Sequence, residues 1–308
     1  VAARETILLI GRGALARDVV RALVAQAADR RVVVVSTTAA TAAAGERSID
    51  PASPASAREL ADLLLELKPS TMALLAFSES AVTPADPWLV DATLAEVVTS
   101  ALDRCVELGG NAPALLVLTS TVVYGVAVAS PLVFDERSGL PRETVFATAE
   151  ARWAEGLRAV ERRLVRWAVN AGVRVGVLRT ASVLGGPMDS PVAALLKAGF
   201  PVRVLGYDPP VQAVHYDDLV EAVALAVDQR CGEVLNIVGR EVTPLSRLLA
   251  MAGVFAPALP GPVADRLAPA SMDGAHLRWR TLADGRRATA LLGFRPQRSL
   301  EECLREQA

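Results

Sequence analysis

Lysine is nearly missing from this chain: Lys68 and Lys197 are the only two among its 32 Lys+Arg. Tyrosine occurs three times, at Tyr124, Tyr207 and Tyr216, and histidine twice, at His215 and His276. Two imidazoles exclude a histidine-rich metal centre, and no metal is expected. Cys105, Cys231 and Cys303 stand too far apart for a disulfide framework or a CxxC site, so the expected setting is reducing and cytoplasmic. Neither sign of charge dominates, because 34 Asp+Glu leave a formal net charge of −2. That balance excludes the electrostatic footprint of a nucleic-acid or anionic-membrane binder. No apolar run approaches the ~18 to 20 residues that cross a bilayer, and the N-terminus lacks the order of a secretory signal. A small molecule is the expected partner.

What is present is alternation. The 308 residues amount, at ~150 per domain, to one large domain or two modest ones. Short apolar runs alternate with longer amphipathic stretches, the pattern of βαβ units around a parallel sheet. Strands are predicted over Thr6–Ile10, Arg31–Val35, Thr71–Phe77, Ala114–Leu118 and Val173–Leu178, the second fully buried by its unbroken branched run. Helices are predicted over about 15–28, 57–67, 91–108 and 148–170. Residues 38–56 and 131–141 read as loops, and Pro257–Pro262 as a rigid one. Beyond Gly185 the elements shorten and proline and glycine increase. The expected fold is α/β: a doubly wound Rossmann-type sheet over 1–185 with a small mixed lobe over 186–308, their boundaries interleaved.

Gly11-Arg12-Gly13-Ala14-Leu15-Ala16 is a G-x-G-x-x-A directly after a strand and opening a helix. The first glycine permits the tight turn, the second lets backbone approach a pyrophosphate, and the small Ala16 lets helix and strand pack closely. Gly11, Arg12, Gly13, Leu15 and Ala16 are therefore expected at a dinucleotide. About 20 residues on, where an acidic residue often meets the adenosine ribose, the strand ends instead at Ser36. A small polar residue there does not repel a 2′-phosphate, and Arg12 can pair with one. The reading favours NADP(H) over NAD(H).

Further motifs stand in order along the chain: Thr119-Ser120-Thr121-Val122-Val123-Tyr124-Gly125, Leu178-Arg179-Thr180-Ala181-Ser182-Val183-Leu184-Gly185-Gly186-Pro187, Val214-His215-Tyr216-Asp217-Asp218-Leu219, Leu235-Asn236-Ile237 and Leu291-Leu292-Gly293-Phe294-Arg295-Pro296. Together they resemble the extended short-chain dehydrogenase/reductase family, the relatives of nucleotide-sugar epimerases, over nearly the whole chain. The resemblance implies that Ser120 hydrogen bonds the reacting oxygen of a substrate. It implies that Asp50 lies near the adenine, and that Ala76 and Arg179 belong to the cofactor site. It also implies that His215 fills a structural place beside Asp217 and Asp218, one of which caps the next helix. Homodimers through helices around 92–108 and 148–170 follow from the same analogy.

The chain departs from that family in one respect. The family's chemistry rests on Y-x-x-x-K, a tyrosine that exchanges the proton and a lysine that lowers its pKa. Four residues after Tyr124, Tyr207 and Tyr216 stand Val128, Val211 and Val220, so the pair is absent. Counting forward from Tyr124 puts its place near Phe146–Glu150; counting back from Glu161 puts it at Trp153 and Leu157, the preferred register. Tyr124, Glu150, Glu155 and His215 are the alternative proton donors, with Tyr124 also readable as a packing aromatic. Trp153, Trp167 and Trp279 are readable as core or as pocket walls. The leading expectation is an atypical NAD(P)-dependent oxidoreductase acting on a small organic substrate through Ser120 and Tyr124. A non-catalytic NAD(P)-binding scaffold is the alternative, and a nucleotide-sugar epimerase or dehydratase the third.

Overall fold

The computed structural model describes residues 5–11, 13–27, 29–37, 47–75, 92–125, 131, 133–140, 149–188, 190–197, 201–267 and 282–307. The chain opens with β1 (Thr6–Ile10), α1 (Gly13–Gln26), β2 (Arg31–Ser36), β3 (Arg47–Ser48), α2 (Ser56–Leu67) and β4 (Thr71–Leu74). It continues through α3 (Ala92–Glu107), β5 (Ala114–Ser120), a 3₁₀ turn at Thr121–Tyr124, β6 (Val133–Phe134), α4 (Ala149–Ala171) and β7 (Val175–Thr180). One sheet of order β3-β2-β1-β4-β5-β7, completed beyond β7 by β11 (Val234–Ile237), is parallel throughout. The order reverses beside β1, and in such sheets ligands bind at the carboxyl ends of the strands flanking that reversal.

The apolar strands explain the two layers of core. Alternate residues point to opposite faces, so Leu8, Ile10, Met72 and Leu74 meet α2, α3 and α4, while Ile7, Leu9 and Ala73 meet α1 and the later helix α6 (Tyr216–Asp228). Helix ends are set by backbone that leaves the helical region. Lys68 at φ 45° closes α2 with its N–H on the Leu64 carbonyl, and Gly109 and Gly172, both at positive φ, follow α3 and α4.

The second region holds β8 (Ser182–Leu184), α5 (Pro191–Lys197), β9 (Arg203–Val204) and β10 (Pro210–His215). After α6 and β11 come β12 (Val242–Pro244), α7 (Leu245–Met251), β13 (Ala258–Leu259), α8 (Gly261–Leu267), β14 (Leu282–Ala283) and helices at Arg286–Leu292 and Leu300–Gln307. A small sheet runs β12-β10-β8. β8 precedes residue 185 yet belongs to this second sheet, whereas β11 follows it and extends the first.

Four expectations need correction. β2 is buried only at Val35 and Ser36 and is partly open before them, because β3 pairs with those two residues alone. The loop expected over 38–56 contains β3, and the one over 131–141 contains β6, which pairs with β14 about 150 residues later in the chain. The loop expected over Pro257–Pro262 contains β13 and the start of α8. Such two-residue strands carry no period to read. The strand expected to Phe77 is described to Leu74, and residues 76 and 77 lie outside the described residues.

Candidate functional site

The glycine turn sits at the carboxyl end of β1. The Gly11 N–H donates to the Val35 carbonyl at 3.1 Å, and the Leu75 N–H donates to the Ile10 carbonyl at 2.8 Å. These bonds tie β1 to both of its neighbours just where the turn begins. Gly13 has φ +73°, a conformation that suits glycine and strains other residues, and it opens α1. Leu15 and Ala16 are buried, at 0% and 1% exposure, so α1 packs hard on the sheet with its first N–H groups at the turn. Ser36 ends β2, and its carbonyl accepts the Ile49 N–H at 2.8 Å, bringing Asp50 beside the same edge. Asp50 is exposed, and its carboxylate accepts the Ala52 N–H at 3.0 Å. Arg12 and Ala76 lie outside the described residues. No carboxylate stands on β2 or on Thr37 after it.

A second polar group lies under the ends of β5, β7 and β11. Thr119, Arg179 and Asn236 occupy one row across these strands, since Arg179 pairs in register with both others. Glu161 comes down from α4. It takes Arg179 Nη2 at 2.6 Å and Nε at 3.2 Å, and the Thr119 hydroxyl at 2.7 Å. Arg179 also lies 4.9 Å from the ring centre of Tyr124. Tyr124 stacks on Phe134 and donates its hydroxyl to Asn236 Oδ1 at 2.8 Å. Asn236 is held from outside the sheet as well: its N–H donates to Glu136 Oε1 at 2.9 Å and its amide to the Asp284 carbonyl. Burial pushes the Tyr124 phenol above its ordinary range, against the pull of the Arg179 charge.

Ser120 ends β5 and caps the 3₁₀ turn, its Oγ accepting the Val122 N–H at 3.3 Å. This contact uses only a lone pair and leaves the hydroxyl proton out of it. Arg158 from α4 pins the same turn. Its side chain is fully buried, with Nε on the Val123 carbonyl at 2.8 Å and Nη1 on Glu155 at 2.8 Å. Burial pulls this guanidinium below its usual range.

The residues expected at the site thus divide. Gly11, Gly13, Leu15, Ala16, Ser36 and Asp50 gather at the ends of β1 and β2, and Ser120 stands at the end of β5. Arg179 and Tyr124 are committed to partners in the buried layer below. Trp153 and Leu157 are core residues, 5% and 0% exposed. Glu155 pairs with Arg158 and with Arg162, and the Glu150 side chain lies outside the described residues. Arg162, Arg163 and Arg166 are exposed. Trp167 donates to Asp103 at 2.6 Å, and Trp279 lies outside the described residues.

His215 belongs elsewhere. It caps α6 by accepting the Asp217 N–H on Nδ1 at 3.0 Å, and its Nε2 faces Glu306 at 3.2 Å. The cap expected of an aspartate is therefore the imidazole's. Asp218 instead receives the backbone N–H groups of Gln297 and Arg298, fastening the C-terminal segment to α6. His215, Asp217 and Glu306 lie within ligand distance of one another, but Arg298 already pairs with Asp217 at 3.3 Å.

Sequence reasoning missed Arg158, Glu136 and the part that Asn236 plays. Arg158 shares a helix face with Ala154 and Glu161, a faint signal among the exposed arginines that follow. Glu136 gave none, because only the folded chain brings its loop to the sheet edge. An open cavity of about 420 Å³ lies beyond this layer, lined among others by Val133, Gln212, Val238, Arg286 and Phe294.

No family model matches the sequence, and no curated protein matches it. Solved structures do. MoeE5 in complex with UDP-glucose and NAD is 24% identical, with 98% of this chain and 97% of that one covered and a TM-score of 0.67. A Stenotrophomonas UDP-glucose-4-epimerase with bound NAD and formylated UDP-arabinopyranose is 18% identical over 99% and 97%, with a TM-score of 0.71. A Bacillus anthracis dTDP-glucose 4,6-dehydratase in complex with NAD is 13% identical over 98% and 95%, at 0.69. Over nearly its whole length the chain has the Rossmann-type fold of the extended short-chain dehydrogenases, the nucleotide-sugar epimerases and dehydratases among them.

Proposed function

We propose that this protein is a nicotinamide-dinucleotide-dependent oxidoreductase and an atypical member of the extended short-chain dehydrogenase/reductase family. The observation that carries the reading is Gly13 at φ +73°, between β1 and a well-packed α1, at the reversal of strand order. Such a turn fits a pyrophosphate, because it offers free N–H groups and a partial positive charge with no Cβ in the way. Gly11, Gly13 and the first turn of α1 hold the phosphates, and Ser36 and Asp50 border the adenosine. A bound nicotinamide dinucleotide supplies hydride chemistry. Ser120 hydrogen bonds the reacting oxygen of a small organic substrate, while Arg158 and the Glu161–Arg179 pair keep its turn in place. Tyr124 serves as packed support beneath that turn, given its bond to Asn236.

The missing carboxylate at Ser36 and the presence of Arg12 support NADP(H) as the preferred form. The similar structures carry NAD, so titration calorimetry with NADPH and NADH separately is the deciding test. Micromolar binding of NADPH with at least tenfold weaker NADH is expected; the reverse order removes the preference, and no binding of either up to millimolar removes the oxidoreductase reading. A non-catalytic nucleotide-binding scaffold is the second reading, favoured by the apolar Trp153 and Leu157 at the preferred dyad positions. It predicts binding without turnover. No described helix is long and apolar enough to cross a membrane. The free thiols of Cys105, Cys231 and Cys303 support a reducing, cytoplasmic setting. The exposed Val106, Leu108 and Val169 at the ends of α3 and α4 support a homodimer through those helices, which analytical ultracentrifugation tests.

A further inference from the structure

The two halves of the proposed dinucleotide site belong to different parts of the sheet. The phosphate half is the start of α1, which follows β1. The half that meets a substrate lies beside Ser120, whose partner in register is Thr180, the last residue of β7. β4 and β5 stand between β1 and β7, and the chain leaving β7 passes through β8 to Gly185 and Gly186. Tyr216 bridges α1 to that chain. It is the first residue of α6 and is 5% exposed. Its ring joins the core that holds Leu15 and Val19 of α1 and Val183 of β8. A Cβ at Gly186 would stand 2.4 Å from Tyr216 Cγ, so the ring lies directly against the backbone there. At the other end the Tyr216 hydroxyl donates to Asp18 Oδ2 at 2.7 Å. Asp18 sits on α1, little more than one turn beyond Gly13.

We propose that Tyr216 is a positioning residue of the dinucleotide site, a strut that fixes α1 relative to the Gly185–Gly186 turn, with Asp18 as its anchor. The inference rests on the nucleotide-binding reading above. An aromatic side chain with a polar tip suits this task, because the body packs while the hydroxyl fixes one direction. A phenol–carboxylate bond is also of the stronger, charge-assisted kind. The other contact of Asp18, with Arg21, is a surface pair, since Arg21 is 77% exposed, and such pairs hold little. Asp18 contributes to dinucleotide binding with two opposite signs: its charge repels phosphates so near the helix start, and its bond to Tyr216 holds the site in shape. Losing the strut leaves each half of the site intact and frees their spacing. A ligand that spans both halves then finds the matching arrangement only part of the time, and its apparent affinity falls by that fraction. A ligand held by the phosphate half alone is spared.

The test is calorimetry on the intact protein, at one temperature well below the Tm of every variant. The probes are the tighter-binding of NADPH and NADH, and ADP, which carries only the adenosine and the pyrophosphate and is measured by competition. Tyr216→Phe keeps the ring and removes the bond. It should weaken dinucleotide binding by about fivefold or more and ADP binding by less than about twofold. Asp18→Ala should weaken the dinucleotide to a similar degree, and the double variant no further than either single one, since both remove one contact. Asp18→Asn, whose Oδ1 still accepts the phenol, should weaken it by no more than about twofold. Trp167→Phe, which loses its bond to Asp103 in the opposite helical layer, should leave both affinities unchanged. Equal losses for ADP and dinucleotide, additive losses in the double variant, tighter binding by Asp18→Ala or unchanged binding by Tyr216→Phe overturns the strut and leaves the nucleotide-binding reading standing. Absence of dinucleotide binding by the wild type overturns that reading and the strut with it. If Asp18→Ala does not fold, as circular dichroism will show, Tyr216→Phe and Asp18→Asn decide alone.

Discussion

Replacing Glu161 by leucine should be among the most destabilising single changes in the Rossmann part of the chain. Glu161 and Arg179 are 5% and 7% exposed at the side chain, and their closest contact is 2.6 Å. Removing the carboxylate strands a buried guanidinium under the sheet, and losing one partner of a buried pair costs about 3–5 kcal/mol. The Thr119 hydroxyl loses its acceptor in the same stroke, for about 1 kcal/mol more. At roughly 2–3 °C per kcal/mol for a chain of this size, the Tm should fall by about 8–18 °C. The double variant Glu161→Leu with Arg179→Met removes both charges, so it should recover most of that loss. Urea unfolding followed by circular dichroism measures the wild type, Glu161→Leu, Arg179→Met and the double variant. A single-variant cost below about 1 kcal/mol would mean that the pair behaves as a solvated surface bridge. A double variant as unstable as the sum of the singles would mean that shape, and not charge, holds the layer.

Three other outcomes follow from the same geometry. Because burial raises the Tyr124 phenol above its ordinary 10.0, the native state keeps a proton that the unfolded chain releases. Its contribution is therefore intact below about pH 10 and lost as the pH rises through the native value; Tyr124→Phe should flatten stability measured by urea between pH 9 and 11. Burial also raises all three thiols, Cys303 to about 12, so Ellman's reagent should label none of them in the native protein and all of them in urea, and rapid native labelling would contradict the buried placement. Gly185→Ala should cost about 2–4 kcal/mol, since Gly185 has φ +75° and a Cβ there meets His215 Nε2 at 2.5 Å; an unchanged Tm would refute the contact of this turn with the imidazole.

How much was legible before folding depended on the range of the interactions. The glycine turn is a local object: a strand, two glycines and a helix start lie in one stretch of sequence, so Gly11 and Gly13 could be found by spacing alone. The strands and long helices were likewise written in periods of apolar residues, and their ends moved by a few residues at most. Ser120 stands in a motif read from local order, and its cap on the Val122 N–H is again a local bond. The absence of a tyrosine–lysine pair needed nothing but counting.

Tertiary structure decided what distant residues do for one another. Thr119, Glu161, Arg179 and Asn236 are far apart in the chain and become a single layer only because β5, β7 and β11 lie side by side under α4. In that layer Arg179 pairs with Glu161, and the Tyr124 hydroxyl is bound to Asn236. Burial of β2 depended on the length of a neighbour that no pattern announces. The sequence by itself determined the fold class, the glycine turn and the missing dyad, because each is encoded in local order or composition. The protonation, burial and pairing of the groups around Ser120 were decided by the fold, because energies of charged and polar groups depend on what surrounds them in space.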